Sequence, residues 1–284
     1  MNPTPLPLDW RADALQAQLA PLWPGLEVEV QAELASTNTT LLERARAGNA
    51  APTLLVAEAQ SGGRGRQGRS WIASAGASLT FSLGVPLALN DWSGLSLAVG
   101  CAIAEALDQS IQLKWPNDIW LKDRKLGGIL IETVAAENGR YAVIGIGLNI
   151  APIDADPAQF QTGFAALQEL HSELTAPQTL ARIAPALLHM LRDFGHQGFG
   201  AWQAAYARRD LTLGRRITAG TLEGVSRGVN AAGELMLQTA LGMRAVSSGE
   251  VSVRFEPPVR GYADTPQGGA AVLGNGPAND RLEN

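Results

Sequence analysis

Cysteine and histidine are scarce in this 284-residue sequence, one of the first and three of the second, which removes most sulfur and metal chemistry from consideration. Cys101 has no second cysteine to pair with and falls in the apolar helical pattern Leu95 to Leu107, so it reads as a small buried hydrophobe in a reducing compartment. His171, His189 and His196 lack ligand spacing, and no dedicated metal site is expected. Basic charge is not in excess either: the formal net charge is −5, which argues against a general nucleic-acid binder. No apolar run approaches the length of a membrane span, and Met1 to Trp10, with three prolines and no basic start, does not read as a signal peptide. A cytoplasmic protein is the expectation. What remains, 46% hydrophobic and 17% charged residues, suffices to fill the core of one large domain and one small one.

Against that acidic background one loop stands out. Gln60-Ser61-Gly62-Gly63-Arg64-Gly65-Arg66-Gln67-Gly68-Arg69-Ser70-Trp71 places three arginines and four glycines directly after the apolar run Thr53 to Ala57. Glycines let backbone N–H groups approach a ligand, and guanidinium groups fork onto carboxylate or phosphate oxygens, so the loop is built to wrap an anion. Gly63, Gly65 and Gly68 formally spell the G-x-G-x-x-G of a dinucleotide site or a kinase lid. Arg69-Ser70-Trp71, however, leads through Gly76 into another strand-like run and not into a helix. Apolar strands on both sides also disfavour a disordered RNA-binding segment.

Ser36-Thr37-Asn38-Thr39 before Leu41 to Ala47 and Gly48 reads as an N-cap, a short helix and a glycine stop. Strand-like runs follow at Thr53 to Ala57, Ser78 to Val85, Ile111 to Trp115, Leu126 to Val134 and Tyr141 to Ile150, with the helix Leu95 to Leu107 between the second and third. Lys122-Asp123-Arg124 is a turn signal returning Ile119-Trp120-Leu121 into the fourth run, and Glu137-Asn138-Gly139 is another. Ala151 to Gly163 reads as a loop, and Pro177 to Leu191 and Gly200 to Arg208 as helices. From Leu211 to Arg254 short, glycine-punctuated runs predict a small β-barrel or sandwich. The fold class is therefore α/β (α+β): a mixed, largely antiparallel sheet flanked by helices, with a small C-terminal β-barrel. The expected division is an extension over 1–25, a main domain over 26–210, the small domain over 211–255 and a disordered tail over 256–284.

A second motif follows the first. Lys114-Trp115-Pro116-Asn117-Asp118 and then Lys125-Leu126-Gly127-Gly128-Ile129-Leu130 set two lysines and a carboxylate around a turn stiffened by Pro116. Alone, this is also what an ordinary surface hairpin looks like. Combined in this order with the Ser36 cap, the glycine-arginine loop ending in Trp71, and Gly145-Ile146-Gly147-Leu148-Asn149, it resembles the biotin protein ligases, over roughly Glu33 to Arg254.

That resemblance implies ATP-dependent activation of biotin to biotinyl-5′-AMP, with Mg²⁺ on the phosphates. Transfer would be to a lysine of a biotin carboxyl carrier domain, from acetyl-CoA carboxylase or a related carboxylase. It also implies an SH3-like form for the small barrel. Ser36, Thr37, Asn38 and Gln60 would face the ureido ring. Gly63, Arg64, Gly65 and Arg66 would close over the biotin carboxylate and the nucleotide phosphate, Gly128 and Gly147 would complete the biotin side, and Lys125 would contact carboxylate or phosphate. Arg69, Trp71, Asn117, Asn149 and Phe164 fall on the adenylate side, Phe164 near where the family often carries a tryptophan. Arg64, Arg66, Lys114, Asp118 and Lys125 make the implied catalytic set, with Asp118 orienting the incoming lysine or taking its proton. Arg227 and Arg254 would lie toward nucleotide or carrier. Only about 35 residues precede Ser36, too few for the winged helix of gene-repressing members, so no operator-DNA binding is expected. An exposed edge strand would serve either a homodimer or the carrier. The rival readings are a lipoate or octanoate ligase or transferase, which needs an apolar tunnel in place of the ureido contacts, and a nonenzymatic nucleotide- or nucleic-acid-binding module.

Overall fold

The computed structural model describes residues 8–71, 73, 75–136, 139–153, 162–248 and 253–255. The expected tail over 256–284, most of the loop after Ala151, and Glu137-Asn138 lie outside the described residues.

Seven strands form the main sheet in the order β1-β2-β3-β7-β6-β5-β4. They are β1 (Glu27–Leu34), β2 (Thr53–Gln60), β3 (Ser78–Leu87), β4 (Gln112–Lys114), β5 (Asp118–Leu121), β6 (Arg124–Ala136) and β7 (Gly139–Asn149). Only β1 and β2 pair in parallel, because helix α2 (Thr37–Arg46) carries the chain between them; the other neighbours are antiparallel. The β5–β6 hairpin turns on Lys122 and Asp123, both at positive φ (48° and 57°), as a two-residue primed turn matched to strand twist requires. This is the mixed, largely antiparallel sheet expected from the sequence.

The helices divide between the two faces. Leu41 and Leu42 of α2 pack with Leu55, Tyr141 and Val143 on one side, a burial that contributes ~1.5–3 kcal/mol per leucine. α1 (Ala12–Leu19), α3 (Leu95–Leu107) and α4 (Ala176–Gln197), the last opened by a Thr175/Gln178 capping box, join the larger core on the other side. α5 (Gln203–Ala207) follows a short 3₁₀ turn. Two of these elements, α1 and β1, are not predicted by the sequence. α1 buries Leu15 and Leu19, and Trp10 Nε1 just before it donates to Glu58 Oε1 at 2.7 Å, so this stretch belongs to the packed body.

The small C-terminal unit is an antiparallel five-stranded sheet, order β11-β10-β9-β8-β12. Its strands are β8 (Arg216–Ala219), β9 (Leu222–Val229), β10 (Leu235–Thr239), β11 (Gly242–Val246) and β12 (Val253–Phe255). It is fastened to the main sheet at β4 and at the residue following it. Leu113 N donates to Arg209 O and Leu211 N to Leu113 O, at 2.8 and 2.9 Å, while Trp115 Nε1 donates to Gly233 O at 3.1 Å.

At this junction Asp210 Oδ1 accepts from Thr212 N at 2.8 Å and Thr212 Oγ1 at 2.6 Å, and burial raises the carboxyl above its ordinary 3.8. A carboxyl with a raised folded pKa holds more proton in the native than in the unfolded state. Unfolding free energy therefore falls as pH rises from about 3.8 through the raised value, and the penalty persists above it. Asp210→Asn keeps an oxygen for Thr212 and is expected to flatten this slope and raise the neutral-pH melting temperature. Urea titrations at pH 4 to 8 check this; an unchanged slope would assign the pH dependence elsewhere.

Candidate active site

On the α2 face of the main sheet, beyond the end of the helix, the chain encloses a cavity of about 870 Å³. Four parts of the chain meet there: the start of α2, the loop after β2, the β4–β5–β6 hairpins, and β12 of the small sheet.

One end is neutral. Ser36 Oγ caps α2 by accepting from Thr39 N at 3.4 Å, which fixes Thr37 and Asn38 at the helix start, where both are buried. Gln60 Oε1 accepts from Thr37 N at 2.8 Å. Asn38 sits against Gly145, where a Cβ would come within 2.2 Å of its Oδ1. Two positions further along β7, a Cβ on Gly147 would lie 2.4 Å from Trp71 Cε2. The two glycines are thus the vacancies that Asn38 and Trp71 occupy, and Gly147 seats the indole. Overpacking of this kind costs about 1–3 kcal/mol. Gly147→Ala is expected to unseat Trp71 and raise the KM for nucleotide several-fold more than that for the acid; equal effects on both would argue against a nucleotide-side tryptophan.

The other end is cationic. The glycine-arginine segment folds as a tight loop, with Gly65 N bonded to Arg69 O at 2.7 Å and Trp71 N to Gly63 O at 2.9 Å. Arg66–Gly68 is a single 3₁₀ turn with Gln67 at φ 58°, so no dinucleotide-type helix opens here. Arg64, Gly65, Arg66 and Arg69 line the cavity. Gly63 does not: a Cβ there would be 2.6 Å from Trp71 O, so its smallness serves the loop's closure. Arg66 Nη2 donates to Ser248 O, two residues past the end of β11, and burial lowers the guanidinium's pKa against an opposing pull from Asp118.

Lys125 Nζ and Asp118 Oδ1 pair at 2.7 Å, with Gly128 beside them at ordinary contact distance. Lys114 is used differently. It is 7% exposed, its Nζ donates to Val253 O at 2.7 Å, and it lies 5.0 and 5.1 Å from the Trp120 and Phe255 ring centres. Burial lowers its pKa, and Lys125, Arg69 and Arg254 add to the fall while Asp118 opposes it. Lys114 therefore reaches the cavity as the tether of β12.

Two residues assigned to the adenylate side are also committed to the frame. Asn117 Nδ2 donates to Ile129 O at 2.9 Å, and Asn149 Nδ2 donates to Ala165 O at 3.0 Å and Lys125 O at 3.3 Å. Phe164 bridges to Lys125 and lines the cavity, as does Arg254. Arg227 is not part of the lining and donates to Gln238 Oε1 at 2.8 Å. Trp71 Nε1 and Trp120 Nε1 are buried at the cavity wall without an acceptor among the described residues. Sequence reasoning missed Ser82 and Glu132, which stand behind the neutral end. The available signal was an acid alone inside the apolar run Leu126 to Val134.

Two sequence profiles match this architecture part by part. Residues 30–149 match the Biotin/lipoate A/B protein ligase family, and residues 212–254 match the Biotin protein ligase C terminal domain. The main sheet, the docked small sheet and the cavity between them thus define a ligase. The relatives narrow the class. The chain is 34% identical over 267 residues to the biotin–acetyl-CoA-carboxylase ligase of Mycobacterium tuberculosis, covering 86% of this chain and 95% of that one. It is 33% identical over 244 residues to the bifunctional ligase/repressor BirA of Escherichia coli, covering 81% and 75%. Among solved structures, the biotin protein ligase of Aquifex aeolicus in complex with biotin and ATP superposes with a TM-score of 0.71 at 26% identity, covering 81% of this chain and 99% of that one. The chain belongs to the biotin protein ligase family.

Proposed function

We propose that this chain condenses biotin with ATP to biotinyl-5′-AMP and transfers the biotinyl group to one lysine of a biotin carboxyl carrier domain, that of acetyl-CoA carboxylase or a related carboxylase. The observation that carries this reading is the pairing, in one cavity of about 870 Å³, of a neutral hydrogen-bonding end with a cationic end. A urea suits the first, and a carboxylate facing phosphates suits the second.

In the first step a biotin carboxylate oxygen attacks the α-phosphorus of ATP, the bond from that phosphorus to the bridging oxygen breaks, and pyrophosphate leaves. Bringing the two anions to ~4 Å costs about 4 kcal/mol at an effective dielectric of 20. Arg64, Arg66 and Lys125 offset that cost and gain further as charge develops on the phosphoryl oxygens; magnesium enters with the nucleotide as MgATP. The carboxylate is already ionised, so this step needs no base. In the second step the neutral ε-amine of the carrier lysine attacks the acyl carbon and AMP departs. Lys125 must leave Asp118 to reach the phosphate, and the freed carboxylate then accepts the proton of the incoming amine. The edge of β6 past Ile129, which pairs with no β5 residue among the described residues, offers the carrier's sheet or a second copy a strand to add to.

The test is to mix the full chain with biotin, MgATP and a biotin carboxyl carrier domain and weigh the carrier by intact mass spectrometry, with lipoate in parallel. One biotinyl addition, lost when the carrier's target lysine is replaced, supports the reading. Pyrophosphate release without addition would keep the activation step and reject the carrier. No pyrophosphate with either acid would reject both.

A further inference from the structure

Behind the neutral end of the cavity a line of side chains ends on Glu132, which the two chemical steps do not use. Glu132 Oε2 accepts from Asn38 Nδ2 at 2.9 Å and from Arg64 Nη2 at 3.2 Å, and Oε1 accepts from the same Nη2 at 3.3 Å. Asn38 Nδ2 also donates to Leu130 O at 3.2 Å, so its amide oxygen is turned the other way, 2.6 Å from Ser82 Oγ. Ser82 is wholly buried, and its Oγ lies 2.7 Å from Thr37 Oγ1. Each hydroxyl has one proton to give, and an amide oxygen only accepts. The Ser82 proton is therefore shared between two acceptors, Asn38 Oδ1 and Thr37 Oγ1. Thr37 Oγ1 gives its own proton to Gln60 Oε1 at 3.3 Å, which also accepts from Thr37 N at 2.8 Å. Two acceptors with no proton to give, the Glu132 carboxylate and Leu130 O, thus hold the Asn38 amide with its oxygen toward Ser82. On the cavity side this leaves Thr37 Oγ1 as an acceptor and Gln60, its oxygen engaged, as a donor through Nε2.

We propose that Glu132 is a positioning and specificity-determining residue. With Leu130 O it holds the Asn38 amide against Ser82, and so keeps Ser82 and Thr37 in the arrangement by which the neutral end accepts an N–H and donates to a C=O, as a cyclic urea requires; it also ties Arg64 of the glycine-arginine loop to that arrangement. The proposal rests on the biotin reading above. An isosteric Glu132→Gln keeps one oxygen for Asn38 Nδ2 but loses the charge and the second acceptor oxygen that Arg64 uses.

The experiment compares the full-length protein with Glu132→Gln and Ser82→Ala, measuring pyrophosphate release with biotin and with biotin methylated on a ureido nitrogen. Glu132→Gln is expected to raise the KM for biotin roughly tenfold, about the worth of one hydrogen bond. The KM for ATP should stay within about twofold, and preference for biotin over the methylated analogue should shrink by a similar factor. Ser82→Ala, which cuts the line between Asn38 and Thr37 and leaves the Arg64 pair intact, should reproduce the loss of preference. Unchanged preference in both variants overturns the proposal, and so does an equal rise in both KM values, the mark of a generally loosened pocket. Wild-type protein that releases no pyrophosphate with biotin removes the biotin reading itself, and the proposal with it.

Discussion

Lys125→Ala is expected to lower biotin-dependent pyrophosphate release by roughly 10²-fold or more, the scale seen when one preorganised donor is taken from a developing oxyanion. The argument is geometric first. Lys125 Nζ lies 2.7 Å from Asp118 Oδ1 on the adjoining strand, half-buried, with the glycine-arginine loop lining the same cavity. A cation held by one carboxylate is poised to exchange it for a phosphoryl oxygen when substrate arrives. Alanine removes that charge and leaves Asp118 unpaired where two anions must meet, so the substitution adds repulsion to the lost attraction. Single-turnover formation of biotinyl-5′-AMP is the measurement, because steady-state labelling of a carrier would mix both steps. Undiminished adenylate formation would remove Lys125 from the first step and return the Lys125–Asp118 pair to a structural role in the hairpin.

Arg66→Gly has the second large expected effect, on retention more than on chemistry. Arg66 stands on the glycine-arginine loop, and its guanidinium donates to Ser248 O, just past β11. With biotinyl-5′-AMP in place the same group faces phosphate, and one charge-assisted hydrogen bond is worth about 1.5–3 kcal/mol. Removing it should speed escape of the adenylate roughly 10- to 100-fold. Released adenylate acylates lysines without selection, so a bystander protein such as serum albumin should gain biotin in the presence of the variant while the wild-type reaction leaves it clean. A bystander that stays unlabelled, with adenylate formation intact, would show that closure of the loop does not depend on this side chain.

Much of the fold was legible because its signals are local. The Ser36 cap, the Lys122-Asp123 turn and the alternating runs of β3, β6 and β7 each lie within a few residues of their own evidence. α1 and β1 escaped because theirs do not. β1 is an edge strand, Glu27-Val28-Glu29-Val30, with no residue fully buried, and α1 has only Leu15 and Leu19 to mark its inner face. The site divides the same way. Its loops were readable as anion-binding from composition alone, and their assignment to biotin and adenylate came from the resemblance. Lys114 looked like a second catalytic cation, but its partner is a carbonyl on a strand that closes the far end of the small sheet, and no local pattern announces that. Glu132 was missed for the same reason: its partners, Asn38 and Arg64, are 94 and 68 residues away. Gly147 lines the cavity and also makes room for Trp71, a contact that no local pattern shows.

The bond from Lys114 to Val253 O spans 139 residues, which gives the site an order of manufacture. At translation rates of about 5–20 residues per second, the ribosome makes Lys114 on the order of ten seconds before it makes the strand that will cover it. Through that interval the helix cap, the glycine-arginine loop and the β5–β6 hairpin already exist as chain, while the wall formed by Val253, Arg254 and Phe255 does not. Lys114 is then an ordinary solvated amine at the rim of an open groove, and only the arrival of β12 buries it against Trp120 and Phe255. Closure of the cavity thus waits for the 139 residues that follow Lys114, and a nascent chain holds most of the parts of the site well before it holds the site.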